Sequence, residues 1–174
     1  MRVDEAELRP AAVLIPIIDR PEGLTVLLTQ RTDHLDHHPG QVSFPGGRIE
    51  ESDRDEIDAA LRETEEEIGL DRSYVEVIGH LDQYRTGTGF DITPVVGLVR
   101  EGFTLKLDEF EVAKAFEVSL EFVLDPTNHK RESKFWRGAM RHYYVFPHDD
   151  YYIWGATAGM LVNLHDRLRD EGES

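Results

Sequence analysis

The stretch GGRIEESDRDEIDAALRETEEEIGL, residues 46–70, joins a glycine turn to a helix that ends in a dense group of carboxylates. On a helix with about 3.6 residues per turn, Glu63, Glu66 and Glu67 lie on one face, whereas Glu65 points elsewhere. Like charges at these spacings weaken a helix by roughly a few tenths of a kcal/mol per pair. We therefore expect a cation on this face.

Capping and apolar residues delimit the predicted helix. Ser52 or Asp53 can cap its start, with Asp55 and Glu56 in the first turn, where the helix dipole favours acids. Gly69 is a good stop signal. Packing on a core is predicted by the apolar residues Ala59, Ala60, Leu61, Ile68 and Leu70.

Two interpretations of the acidic face are open from spacing alone. It is either a solvated face, as most charge runs are, or a site for a hard cation. Oxygen ligands favour Mg²⁺ or Mn²⁺ over zinc, because the chain has no cysteine and this helix has no histidine pair at ligand spacing.

The composition indicates one domain spanning residues 1–174, with a core from about residue 10 to residue 168. A net charge of −16 argues against nucleic acid or an anionic membrane as a partner. The absence of cysteine excludes disulfides and thiol catalysis. No secretory signal and no spanning segment of about 20 apolar residues is visible. We expect a soluble, cytoplasmic protein; a homodimer is left open.

Apolar runs of strand length predict a sheet around the helix, giving an α/β (α+β) fold. Residues 11–18 are expected to form a buried strand near a sheet edge or bulge, because Pro16 interrupts the run. Residues 24–30 are the returning strand of a hairpin. Further predicted elements are strands at 73–81, 92–99 and 142–147, a short helix at 120–124, and a terminal helix from 152 toward Arg169 with Leu161, Leu164 and Leu168 on one stripe.

Polar segments between these elements are candidates for function. The loop 31–40 contains His34, His37 and His38, which we expect to be exposed or to contact phosphate, since no ligand spacing for zinc is present. Residues 129–137, HKRESKFWR, form the only basic cluster. This cluster is either a phosphate patch or a solvated turn between strands.

Residues 47–70 resemble the Nudix box of nucleoside diphosphate-X hydrolases, G-x5-E-x7-R-E-U-x-E-E-x-G-U, with U an aliphatic residue. Its second half is intact, from Arg62-Glu63 through Glu66-Glu67 to Gly69 and Leu70. Asp53 replaces a glutamate, one extra residue precedes Arg62, and Thr64 fills an aliphatic slot. The resemblance implies a Nudix fold, in which a mixed β-sheet lies between helices and a loop-helix-loop carries the metal site.

Residues 27–47 are similar to a narrower signature, LLTxR[SA]x3Rx3Gx3FPGG, of the coenzyme A pyrophosphatase subgroup. The matching residues are Leu27, Leu28, Thr29, Arg31, Gly40, Phe44, Pro45, Gly46 and Gly47. Thr32 and Asp36 depart from it, and Asp36 places an anion where the subgroup has a cation. The resemblance implies metal-dependent hydrolysis of coenzyme A or acyl-coenzyme A to 3',5'-ADP and (acyl-)4'-phosphopantetheine.

The same resemblance assigns expected roles to individual residues. The catalytic group is Arg62, Glu66, Glu67 and Glu111, and the ligands of Mg²⁺ or Mn²⁺ are Glu63, Glu66, Glu67 and Gly47. Substrate contacts are expected from Thr29, Arg31, His38, Gly40, Phe44, Pro45, Gly46 and Arg85. Two alternatives stay open: hydrolysis of another nucleoside diphosphate derivative such as ADP-ribose or NADH, and a non-catalytic nucleotide sensor, against which the complete REx2EE set argues.

Overall fold

The computed structural model describes residues 8–35 and 40–172. The strands are β1 (Arg9–Arg20), β2 (Gly23–Arg31), β3 (Val42–Ser43), β4 (Gly46–Arg48), β5 (Val75–His80), β6 (Tyr84–Arg85), β7 (Phe90–Val99), β8 (Val112–Ser119), β9 (Lys130–Trp136), β10 (Ala139–Phe146) and β11 (Ile153–Trp154). The helices are α1 (Glu56–Ile68), α2 (Leu120–Leu124) and α3 (Gly155–Gly172). No helix within these ranges is long and apolar enough to span a membrane.

Eight strands form one mixed sheet in the order β3-β2-β1-β7-β5, with β4 on β1, β6 on β7 and β8 on β2. The long strands β1 and β7 run parallel, and most other pairs are antiparallel. Strands β9, β10 and β11 form a second, antiparallel sheet. The mixed α+β class predicted from the sequence is confirmed.

Side chains along β1 point alternately to the two faces of the large sheet, and a helix packs on each face. Leu14 belongs to a buried cluster with Ala60 of α1. Its neighbour Ile15 points the other way and belongs to a cluster with Leu161 of α3. Burying each such side chain contributes roughly 1.5–3 kcal/mol, so both helices are held firmly against the sheet.

Pro16 lies in a central strand, so the expectation of a sheet edge was wrong. On one side β1 pairs with β7 throughout residues 9–18. On the other side it pairs with β4 at residues 11–13 and with β2 at residues 17–20. The N–H of Leu14 points to that second side, toward the Pro45 carbonyl. Pro16 is two residues further along the strand, so its backbone nitrogen faces the same side. Its missing N–H therefore falls where the partner strand changes, and no ladder bond is lost.

The N-cap of helix α1 is Asp55, three residues after Ser52 and two after Asp53. The Asp55 carboxylate accepts a hydrogen bond from the N–H of Asp58 at 2.8 Å. Neither Ser52 nor Asp53 has that role. The predicted stop is confirmed: Gly69 has a φ of 69° and its N–H donates to the Glu65 carbonyl at 3.0 Å.

Two further expectations about the C-terminal half need correction. Residues 130–136 of the basic cluster form strand β9 rather than a turn, and every residue in it is exposed. The terminal helix begins at Gly155, after the short strand β11, and its stripe ends early because Leu168 is 37% exposed.

Candidate active site

The glycine turn and the acidic face of α1 are in contact. Strand β4 pairs with residues 11–13 of β1, which brings Gly46 and Gly47 beside the helix. A Cβ at Gly46 would collide with the backbone of Ala12, and one at Gly47 would lie 2.7–2.9 Å from the carboxyl atoms of Glu63. Only glycine permits this close approach of the backbone to the carboxylate.

The three carboxylates of the face differ in their exposure to solvent. Glu67 is buried, with 6% of the residue exposed, and its carboxylate accepts a long hydrogen bond from the N–H of Gly46 at 3.4 Å. The side chain of Glu63 is 16% exposed, and that of Glu66 is 60% exposed. Solvent exposure therefore increases along the face from Glu67 through Glu63 to Glu66.

Electrostatics make the inner carboxylates costly to ionise. Burial, together with the charges of Glu63 and Glu111, raises the pKa of Glu67 to about 8, while the Gly46 N–H and Arg31 oppose the shift. Burial also raises the pKa of Glu63, with Arg62 acting against it. A cation on this face would relieve both penalties.

Glu111 comes to this face from strand pairing distant in sequence. The N–H of Thr32 donates to the Glu111 carbonyl at 3.0 Å, and the Thr32 hydroxyl donates to the Phe110 carbonyl at 2.6 Å. Thr32 is buried. That Thr32 holds the segment carrying Glu111 was missed from the sequence, because Thr32 was noted there only as a departure from the coenzyme A signature. Its β-branched side chain at the end of β2 was the available signal.

Arg62 binds acids on two sides. Its Nε and Nη2 donate to the two carboxylate oxygens of Asp53 at 2.8 and 3.0 Å, a bidentate pair. Its Nη1 donates to Glu63 at 3.1 Å and to Glu66 at 3.2 Å. Hydrogen bonds from Arg62 hold the pKa of Asp53 at about 2. Asp53 therefore anchors the guanidinium of Arg62 beside the acidic face.

Arg31 is the cation from the preceding strand that reaches the acidic face. Its charge favours the ionised form of Glu67. Its Nε is buried and has no hydrogen-bond partner among residues 8–35 and 40–172. A buried donor without an acceptor is costly, so this guanidinium is suited to an anionic ligand.

Three residues expected to contact substrate are part of the sheet and core. The Thr29 hydroxyl is buried and donates to the Ser43 carbonyl at 3.0 Å. Phe44 packs in the main core, and the buried Pro45 accepts the N–H of Leu14 through its carbonyl. Burial and sheet hydrogen bonds of these three residues fix the glycine turn, and their contact with substrate stays a prediction.

The remaining substrate candidates are dispersed. Gly40 has a φ of 69° and donates its N–H to the Thr32 carbonyl at 3.3 Å. Arg85 is exposed on β6, opposite Asp91 of β7. His38 and Asp36 lie outside the described residues. The roles of all four stay predictions.

The residues present fit a hard divalent cation by their chemistry. The donors are carboxylate and carbonyl oxygens, the ligand type that Mg²⁺ and Mn²⁺ prefer. In the described ranges, no three His, Asp or Glu side chains stand as a ready-made ion cluster. Glu63 and Glu66 instead contact Arg62, so ion binding requires these two carboxylates to rotate.

Comparison with known proteins agrees with this geometry. The model of the NUDIX domain family matches residues 8–143. The chain is 43% identical over 157 residues to the uncharacterized Nudix hydrolase NudL of Escherichia coli K12, covering 90% of this chain and 81% of the relative.

Two solved structures share the fold. The Caenorhabditis elegans Ap4A hydrolase binary complex has a TM-score of 0.55 at 20% identity, covering 64% of this chain and 80% of that one. The NUDIX domain of Shewanella oneidensis NrtR has a TM-score of 0.51 at 22% identity, covering 67% and 76%. At these identities the likeness shows the fold alone. With the family model and NudL, it confirms that the chain belongs to the Nudix family, as a pyrophosphohydrolase of a nucleoside diphosphate derivative.

Proposed function

We propose that this chain hydrolyses the diphosphate bond of coenzyme A or acyl-coenzyme A. Water adds across the bond to give 3',5'-ADP and 4'-phosphopantetheine or its acyl form. The observation that carries the proposal is Arg31, which belongs to the coenzyme A signature segment and acts electrostatically on Glu67. This links the substrate-type signature to the acidic face.

The metal site proposed here consists of Glu63, Glu66, Glu67 and the Gly47 carbonyl, holding Mg²⁺ or Mn²⁺. Such an ion, when bound, screens the phosphate charge and lowers the pKa of a coordinated water. The proposal is supported by the raised pKa of Glu67 and by the closeness of Gly47 to Glu63.

The chain's own residues divide the remaining tasks. Arg62, fixed by its bidentate contact with Asp53, positions Glu63 and Glu66. Arg31 binds a phosphate oxygen through its guanidinium, whose Nε is buried and without a hydrogen-bond partner in the described part of the chain. Glu111, which faces Glu63 and Glu67, accepts the proton of the attacking water.

Binding of the anionic substrate has to overcome the net charge of −16. Arg31 and the proposed divalent ion both counter that repulsion where the phosphates bind. Coenzyme A extends on both sides of its diphosphate bridge, so its two ends must contact residues further from α1. Gly40, Arg85 and His38 are the candidates for those contacts.

Another nucleoside diphosphate derivative is the second candidate substrate. The structurally similar NrtR domain was solved with ADP-ribose. NADH is a further member of this class. Asp36 supports this alternative, because it places an anion where the coenzyme A signature has a cation.

A product-resolved assay separates these substrates. The protein is incubated with Mg²⁺ or Mn²⁺ and with coenzyme A, acyl-coenzyme A, ADP-ribose or NADH, and products are identified by mass. We expect coenzyme A or its acyl form to give the highest initial rate, with 3',5'-ADP as a product. A higher rate with ADP-ribose or NADH would contradict the coenzyme A assignment and leave the hydrolase assignment intact.

An Arg31→Gln variant tests the observation that carries the proposal. We expect the KM for coenzyme A to rise about tenfold, because one charge-assisted contact to phosphate is lost. Arg54→Gln, on the exposed approach to α1, is the matched control and is expected to keep the KM. Equal KM values in both variants would remove Arg31 from the phosphate site.

A further inference from the structure

The hairpin β9–β10 is exposed to an unusual degree. Every residue of β9 is exposed, and Phe135 and Met140, which pair across the strands, are 68% and 58% exposed. On the other face, Trp136 is 42% exposed. Within the described residues, β11 pairs with β10 only at Val145 and Phe146, so the hairpin is two-stranded toward its tip. A two-stranded ribbon is only marginally stable in water by itself, and apolar side chains on both of its faces indicate a partner surface.

The hairpin also has the opposite charge to the rest of the chain. Between residues 130 and 141 it carries five cations and one acid, a net charge of +4 in a chain of −16. Lys134 lies directly opposite Arg141, and like charges so placed destabilise a strand pair. Among the described residues, neither of them nor Arg137 forms an ion pair. This positive charge is left for an external acidic surface.

The turn of the hairpin adds a second cost. Arg137 has a φ of 49° and Gly138 a φ of 78°, as a two-residue turn requires. Glycine or asparagine suits the first of these positions better than arginine does. A cation is therefore held at the tip despite an unfavourable backbone conformation.

A surface depression at the far end of β1 and β7 has matching chemistry. Its volume is about 490 Å³. Apolar side chains and carboxylates line it, including Leu24, Tyr74, Leu98, Asp19, Glu76 and Glu101. Leu24 is 41% exposed there. Arg100 also lines the depression, but its guanidinium lies over the Tyr74 ring at 5.2 Å and donates to the Ser73 carbonyl at 2.8 Å.

The hairpin cannot fill this depression within its own chain. Trp136 lies near the loop that precedes β7, 3.8 Å from a Cβ built at Gly87. The depression includes Leu98 and residues beyond the end of β7. Strand β7 has 10 residues. A strand of that length extends about 30 Å, so the two features lie at opposite ends of the sheet.

We propose that the β9–β10 hairpin of one chain docks into the acidic depression of a second copy. In a twofold pair each chain both inserts its hairpin and receives the other's, so the same contact is made twice. Phe135 and Met140 supply the apolar contact, while Lys134, Arg137 and Arg141 meet Asp19 and Glu76, since Glu101 is already paired with Arg20 of its own chain at 3.5 Å. This interface is independent of the proposed substrate.

Charge reversal and its rescue test the interface. The wild-type chain is expected to sediment as a dimer at micromolar concentration. A Lys134→Glu/Arg141→Glu variant and an Asp19→Lys/Glu76→Lys variant are each expected to show half that mass. Combining the four substitutions restores opposite charges across the interface and returns the dimer. Circular dichroism and thermal unfolding verify that each variant is folded.

A matched control reverses two cations outside the hairpin, Lys106→Glu/Lys114→Glu, and is expected to remain dimeric. A monomeric wild-type chain, or a hairpin variant that keeps the wild-type mass, would overturn the proposal. So would a weakened affinity for nucleotide in the hairpin variant with an unchanged mass, since the hairpin would then serve the substrate. A combined variant that stays monomeric would exclude the depression as the receiving surface.

Discussion

Two groups of acids on helix α1 differ in what neutralises them. Asp58 and Glu65 bind the guanidinium of Arg72 at 2.9 and 2.8 Å. Glu67, two residues beyond Glu65, has no arginine in hydrogen-bond contact among the described residues, and the charges of Glu63 and Glu111 oppose its ionisation. The two groups share a helix and a composition but have opposite electrostatic environments.

The pKa shifts record this contrast. Hydrogen bonds from Arg72 lower the pKa of Asp58, whereas burial raises that of Glu67 to about 8. A paired acid contributes to the stability of the fold. Buried acids without a matching cation destabilise it, and groups of that kind concentrate at functional sites. The contrast between Glu67 and the paired acids supports the proposal that the Glu63–Glu67 face is the ion site.

The largest expected effect separates Glu67 from Glu65. Glu67→Gln removes a buried ligand charge while keeping the shape, and we expect kcat to fall on the order of 10³-fold, since metal-assisted stabilisation is worth several kcal/mol. Glu65→Gln is the matched control, expected within about twofold of wild type because its carboxylate serves Arg72. Initial rates with saturating Mg²⁺ measure both. Equal losses in the two variants would erase the distinction between the groups.

Substitution of Arg62 and of Arg72 is expected to show the same contrast with a smaller loss of activity. Arg62→Lys cannot reproduce the bidentate contact with Asp53, so we expect a loss of about 10–100-fold in kcat/KM, typical of residues that orient metal ligands. Arg72→Lys is expected to leave kcat/KM unchanged. An unaffected Arg62→Lys enzyme would mean that Glu63 and Glu66 need no orientation.

The closeness of Gly47 to Glu63 predicts a change in metal affinity. Gly47→Ala puts a methyl group 2.7–2.9 Å from the Glu63 carboxyl atoms, which displaces that carboxylate. We expect the Mg²⁺ concentration for half-maximal rate to rise about tenfold. In the control Gly87→Ala the new methyl group meets its nearest neighbour at 3.8 Å, so no change is expected. Identical Mg²⁺ curves would exclude Gly47 from the ion's surroundings.

The pH dependence of stability in the presence of a chelator follows from Glu67. The pKa of the Glu67 carboxyl is 4.5 in an unfolded chain and about 8 in the folded protein. Between pH 4.5 and about pH 8 the folded protein therefore holds a proton that the unfolded chain has lost. Stability therefore decreases as pH rises through this window. Glu67→Gln removes that decrease and is expected to raise Tm by about 5 °C at pH 8. A Tm with the same pH profile in both proteins would contradict the raised pKa.

The smallest effect belongs to the paired group. Arg72→Gln breaks an ion pair that is well exposed on both sides, and surface pairs contribute little. We expect Tm to fall by about 4 °C or less, with unchanged activity. Thermal unfolding at low and high salt measures it. A salt-independent fall far above this value would show that Arg72 is a core determinant of the fold.

The sequence was sufficient to predict the helix and the common face of its three carboxylates. The spacing of Glu63, Glu66 and Glu67 follows directly from the helical period, and Gly69 stops the helix as predicted. These features depend on local geometry over a few residues. Pairings distant in sequence could not be derived in this way. The contact between Arg62 and Asp53 requires the preceding loop to fold back on the helix.

The order of strands in the sheet could not be predicted from the sequence either. The central place of Pro16 depends on β4 ending and β2 beginning beside it, which no local pattern encodes. Strand β9 was missed because its exposed residues lack the apolar alternation that marks a half-buried strand. Glu111 reached the acidic face through the β2–β8 pairing. Its approach was inferred only from resemblance.

Binding of Mn²⁺ tests most directly the central claim, that the acids of the Glu63–Glu67 face form the ion site. Free Mn²⁺ is measured by electron paramagnetic resonance during titration of the wild-type, Glu67→Gln and Glu65→Gln proteins. We expect wild type and Glu65→Gln to bind Mn²⁺ with equal affinity and Glu67→Gln to bind it at least tenfold more weakly. Unchanged binding by Glu67→Gln, or weakened binding by Glu65→Gln alone, would contradict the account.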